Sequence, residues 1–174
     1  ASEVIKIASD NAVLGTFTNL LVPIGLITLL SGIMYFVQSM EGGNGHALSR
    51  LGMPFIFIAV IGWTIGSGIG VGISQGLIQQ SDGGLSTATF SISIVSTILF
   101  GLGGLLIALG ASTREELNSI LAYIAALAAA VVLVSTFILA FATDQAIVLN
   151  AVGGVCFIIY TIWSIIIGRG LIVK

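Results

Sequence analysis

Charge is what this chain has least of: Asp, Glu, Lys and Arg together make up 7% of its 174 residues. A water-soluble domain carries about a quarter of its residues as these four types. A surface facing water is therefore excluded for most of the sequence. The net charge of −2 comes without any basic block, which argues against direct binding of nucleic acid by a charged face. One histidine, His46, and one cysteine, Cys156, are present. A bis-histidine haem needs two axial histidines, and a zinc or di-iron site needs clustered His, Cys, Asp or Glu; the sequence offers neither. Hydrolase triads fail for the same want of residues. The lone cysteine can close no intrachain disulfide, so the redox compartment is not readable from it. Ion-coupled transport needs an ionisable group at membrane depth, whereas every charged residue falls at the end of an apolar run. The expectation is a chain with no catalytic residue, cofactor or metal, neither an enzyme nor a pump.

What is there is apolar: hydrophobic residues make up 57% of the chain, and its mean hydropathy is +1.19. Five stretches contain no charged residue, 11–40, 51–81, 83–113, 117–143 and 145–168. Each exceeds the ~20 residues that cross a ~30 Å hydrocarbon core as a helix. In lipid the backbone must satisfy its own hydrogen bonds, and these runs are far too long for barrel strands. The sequence thus predicts an all-α integral membrane bundle, one membrane domain over 1–174 with about five transmembrane helices at 19–39, 51–73, 92–111, 117–141 and 146–167.

The connectors are short. Glu41-Gly42-Gly43-Asn44-Gly45 and Ser81-Asp82-Gly83-Gly84 read as glycine-rich turns. Thr113-Arg114-Glu115-Glu116 reads as a capping box with Thr113 as N-cap, and Asp144 as a cap for the fifth helix. Pro54 is expected in the first turn of the second helix. Pro23 is expected to mark a break after a short leading helix over 1–14.

Orientation follows from the bases. Arg50 (with His46), Arg114, Arg169 and Lys174 fall on one side of a five-span topology, and Lys6 alone on the other. That places the N-terminus outside and the C-terminus in the cytoplasm, with the four bases as topology anchors in the plasma or inner membrane. Ala1 in place of methionine reads as loss of the initiator or of a signal peptide, and the residues do not separate the two.

Glycine is the positive signal. The second span carries Gly62, Gly66 and Gly70 at four-residue spacing, with Gly68, Gly72 and Gly76 as a second row. Gly101 and Gly104 follow in the third span, Ala122, Ala126 and Ala130 in the fourth, and Gly153-Gly154 in the fifth. Small residues let helix backbones approach closely, which drives much of helix association in lipid. These faces serve either packing within the bundle or packing against other membrane subunits. The hydroxyls Thr87, Thr89, Ser91, Ser93, Ser96 and Thr97 either bond back to their own helix or line a polar path. Asn150 is the one amide inside a predicted span, and either sits near the interface or bonds between helices.

From about residue 11 to 73 the chain resembles the VirB2/TrbC family of conjugative pilins. The likeness rests on a short leading helix, an apolar span, the connector Glu41-Gly42-Gly43-Asn44-Gly45-His46-Ala47-Leu48-Ser49-Arg50, and a glycine-bearing second span containing Trp63. It implies a hairpin with both ends outward, following signal cleavage, that polymerises into a filament, often with lipid, its basic connector facing the lumen. Members of that family have two spans, and 85–174 has no counterpart in them.

Three functions follow as expectations. The first is a non-catalytic subunit packed through its glycine-rich faces into a larger membrane assembly, of conjugation or secretion type in its most specific form. The second is an accessory subunit of a respiratory or other energy-converting complex. The third is a small passive channel or carrier. The expected partners are other membrane subunits, of the same or another kind, and lipid.

Overall fold

A computed structural model describes residues 11–77, 83–115 and 117–172, and every regular element in them is helical. Five helices follow one another: α1 (Ala12–Ser39), α2 (His46–Ser74), α3 (Gly83–Ser112), α4 (Ser119–Phe141) and α5 (Ala146–Ile172), with a 3-10 turn at Thr143–Gln145. All five are long and apolar enough to cross a membrane. They run 23 to 30 residues, about 35–45 Å at 1.5 Å per residue. That exceeds the ~30 Å hydrocarbon core, so their ends reach the headgroup region or the helices tilt.

Four local expectations are corrected. Pro23 breaks nothing: α1 is continuous through it, and the proposed leading helix lies mostly outside the described residues. Pro54 stands in the third turn of α2 rather than the first, because α2 already begins at His46. Each proline deletes one N–H, leaving the carbonyls of Asn19 and Arg50 without their usual helical donor. Such gaps are tolerated in membrane helices because neighbouring helices and local side chains take them up. Thr113 is no N-cap; its hydroxyl donates to the Gly110 carbonyl at 2.8 Å and closes the end of α3. The cap of α4 is Asn118, whose side-chain oxygen accepts from the N–H groups of Ile120 and Leu121 at 3.0 and 3.3 Å. Glu116 lies outside the described residues. Asp144 sits within the 3-10 turn, two residues ahead of Ala146, so it does not occupy the cap position.

Chain-adjacent helices pack on one another, most extensively α2 on α3 and α3 on α4, while α1 touches α5 far less than it touches α2. Within the spans, 39% of α3 and 44% of α4 are buried against 17–22% for α1, α2 and α5. The first pair is therefore the more enclosed part of the bundle, and the other three are its more exposed flanks. The first half of the buried face of α4 is alanine (Ala122, Ala125, Ala126, Ala128 and Ala129), before Val132, Ser135, Thr136 and Leu139 take over, so α3 can lie close against it there. Gly101 uses that closeness, since a Cβ there would come within 3.1 Å of the Leu133 backbone.

Aromatic rings fill the centre where backbones stand further apart. Trp63 from α2, Phe100 from α3, and Phe157, Tyr160 and Trp163 from α5 form one linked cluster, which Phe36 from α1 joins through Trp163. Centroid separations of 5.1–6.1 Å in tilted and edge-on geometries are those at which ring quadrupoles attract. Phe157, Tyr160 and Trp163 follow one another at i, i+3 and i+6, so a single face of α5 supplies half the cluster.

Candidate functional site

The tightest backbone approach is at the α2–α3 crossing. A Cβ built on Gly52 would lie 2.7 Å from the Gly103 carbonyl oxygen, and one on Gly103 would lie 2.8 Å from the Gly52 carbonyl oxygen. One end of the crossing is closed by Gly45 and Gly110. A Cβ on Gly110 would meet the Gly45 carbonyl at 2.6 Å as well as the Ser49 hydroxyl. Ser49 itself is fully buried and donates to the Ile107 carbonyl at 3.3 Å. Gly45 also has φ of 77°, which lets the connector turn directly into α2.

None of these four glycines belongs to the rows singled out in the sequence. Of those that do, Gly62 packs beside Ser96, Gly70 beside the Asn19 amide, Gly101 on Leu133 and Gly104 on the Tyr160 ring. Gly66 has only Thr89 nearby, at 4.0 Å from a built Cβ. Gly68, Gly153 and Gly154 face open space. Gly76 is not in a packing row at all. It follows the end of α2 at φ 67°, where its N–H donates to the Ile73 carbonyl and the Leu77 N–H donates to that of Gly72, a Schellman closure. The Gly72 carbonyl is thus part of that closure.

The bases separate in role. Arg50 and Arg169 are exposed, and Lys174 lies outside the described residues. Arg114 is half-buried, lies over Gly43, and donates to the Met40 carbonyl at 3.3 Å. It thereby ties the α3–α4 connector to the end of α1, where a cation is favoured by the helix dipole.

Three of the six hydroxyls bond back to their own helix: Thr89, Ser91 and Thr97 each donate to the carbonyl four residues back. Thr89 and Ser93 nonetheless line a cavity of about 420 Å³ with Asn19, Gly66 and buried Ser67, floored by Trp63 and Phe157. Asn150 is exposed at the mouth of a smaller one, about 200 Å³, beside Ser135 and Thr136. Two further cavities, of about 370 and 250 Å³, share Phe36, Trp163 and Ile167; the smaller lies between α1 and α5 against Ile107, and the larger also takes in Arg114 and Asn118 of the α3–α4 connector and Leu121 and Ala122 of α4. The Tyr160 hydroxyl, buried between Gly104 and the aromatic cluster, has no hydrogen-bond partner among the described residues. Among those residues no three of His, Cys, Asp and Glu gather.

Sequence reasoning missed the Gly45–Gly52 and Gly103–Gly110 pairs. Each is separated by seven residues, close to two helical turns, which is a signal the chain does carry. It also missed Arg114 as a link between connectors, for which sequence holds no sign. Searches against protein-family models, curated proteins and solved structures return no match to this chain.

Proposed function

We propose that this chain is a non-catalytic integral membrane subunit, joined to neighbouring subunits through glycine-bearing helix faces that its own fold leaves uncovered. The carrying observation is the division among its glycines. Gly45, Gly52, Gly103 and Gly110 are consumed inside the protomer, while Gly25, Gly68, Gly153 and Gly154 have no heavy atom within 4 Å of a built Cβ. They lie on α1, α2 and α5, the three helices with the smallest buried share. Helix association in lipid depends on close approach of backbones, and these are the positions where a second chain can come close. The N-terminus is placed outside and the C-terminus in the cytoplasm of the plasma or inner membrane, supported by the gathering of Arg50, Arg114, Arg169 and Lys174 on one side. A conjugation- or secretion-type assembly is the most specific version, supported by the pilin-like pattern of the first hairpin.

The test is disulfide cross-linking in native membranes, with single cysteines at positions 68 and 153 in a Cys156→Ser background. Covalent dimers or adducts to another subunit are expected, and Gly68→Leu with Gly154→Leu should lower the mass of the assembly extracted in mild detergent. A chain that gives no adduct and extracts only as a monomer overturns the reading.

A further inference from the structure

We propose that the groove between α1 and α3 binds one uncharged ring bearing hydroxyl groups, a phenol or quinol taken from the bilayer. Both helices pack on α2 and scarcely on each other, so α2 forms the floor of the groove. The cavity there, about 420 Å³, falls within the ~300–1,000 Å³ usual for small-molecule sites. Asn19 of α1 stands on one side, Thr89 and Ser93 of α3 on the other, and Phe157 of α5 adds an aromatic wall.

The lining selects the chemistry. It holds no ionisable side chain, and a charge placed there would give up its hydration without a partner. The occupant is therefore uncharged. Ser67 is 8% exposed, yet its hydroxyl makes no hydrogen bond to a described residue, and neither does that of Ser93. A buried hydroxyl left in this way is uncommon. Thr89 has spent its proton on the Leu85 carbonyl at 2.9 Å, so its oxygen can only accept. The Asn19 amide nitrogen donates to the Gly15 carbonyl at 2.9 Å, and a primary amide carries a second N–H. The groove thus asks for a group that both gives and takes hydrogen bonds. A hydroxyl does both, whereas an ester, an ether or a quinone carbonyl only accepts.

The floor selects the ring. Trp63, Gly66 and Ser67 follow at i, i+3 and i+4, so they share one face of α2. Gly66 leaves that face bare between the indole and the hydroxyl, since the only atom near a Cβ built on it is a Thr89 methyl at 4.0 Å. Trp63 and Phe157 meet edge to face, with centroids 5.8 Å apart, and a third ring joins such a pair favourably. Depth agrees with an amphipathic ligand. Asn19 lies seven residues from the start of α1 and Ser67 seven from the end of α2, about 10 Å along each axis. A helix of 28 or 29 residues centred on a ~30 Å core overhangs it by about 6 Å at each end. The polar atoms sit just inside the hydrocarbon edge, where rings with one wet end collect.

The test is isothermal titration calorimetry on the chain in nanodiscs, with empty nanodiscs as the blank. The probes are 2-naphthol, decylubiquinol kept reduced, and naphthalene, which has the ring without the hydroxyl. Saturable binding of one 2-naphthol or one quinol per chain is expected, with naphthalene at least tenfold weaker. Tighter binding of decylubiquinol assigns the site to a tailed quinol, and equal or tighter binding of 2-naphthol to a free phenol. Gly66→Val fills the groove and Ser67→Ala removes its buried hydroxyl. Each should weaken binding at least fivefold while unfolding in SDS stays as in the native chain. Heat no greater than that of empty nanodiscs would mean that the groove holds water only, and overturns the site. Naphthalene binding as tightly as 2-naphthol, unchanged binding in either variant, or cross-linking of a cysteine at position 66 to another protein does the same. The ligand is counted per chain, so the result stands apart from whether the subunit assembles.

Discussion

A methyl group at Gly103 would press on the Gly52 carbonyl oxygen at 2.8 Å and on the Ile56 side chain at 2.9 Å. Backbone cannot swing aside as a flexible side chain does, so α2 and α3 would have to separate. Gly103→Ala should therefore cost about 1–3 kcal/mol, the usual penalty of overpacking. Gly68→Ala, with open space in front of it, should change stability by less than ~1 kcal/mol and in the favourable direction. Unfolding by SDS in mixed micelles, followed by the fluorescence of Trp63 and Trp163, measures both; equal losses would mean that the α2–α3 crossing is not the close contact described. The Tyr160 hydroxyl makes the opposite kind of case. It is buried without a partner among the described residues, and an unmade hydrogen bond costs about 1–3 kcal/mol. Tyr160→Phe should leave the bundle as stable or more so in the same assay. A clear loss would point to a bonded water or ligand at that oxygen.

At the scale of the element, the helix ends carry the information that apolar runs do not. Asn118→Ala removes a cap that serves two N–H groups and should lower stability by about 1 kcal/mol. Gly76→Ala forces a Cβ into a left-handed residue at φ 67°, a cost of about 1–2 kcal/mol. Hydrogen exchange at the last turn of α2 should speed up in that variant and stay unchanged at α4, and a uniform change across both would contradict a local closure. These ends also show where reading the sequence stops. Five helices were legible because an uncharged run longer than ~20 residues has one low-energy answer in lipid. Their bounds were not, because α2 starts from the left-handed turn at Gly45 and runs through Pro54. The glycine rows were legible as spacing alone. Spacing says which residues share a face, and only packing says that the face of Gly52 looks at α3 while that of Gly68 looks outward.

For the whole molecule, the connectors near Glu41 and Glu115 and the turn at Asp144 fall on opposite sides of a five-span topology. With the orientation proposed above, a cysteine at position 41 or 115 should react with a membrane-impermeant maleimide only in inverted vesicles. One at position 144 should react in intact cells, all in a Cys156→Ser background. The reverse pattern would invert the topology without changing the fold.

The aromatic centre has a consequence for how the protein is made. Three of its six rings sit on α5, which is synthesised after the other four helices. Until the ribosome has delivered that segment, Trp63 and Phe100 have only each other, and four helices wait around a centre short of half its rings. Filling of that centre is thus a single late event, like setting a keystone, and a chain cut before α5 is left with an exposed interior for membrane proteases to recognise.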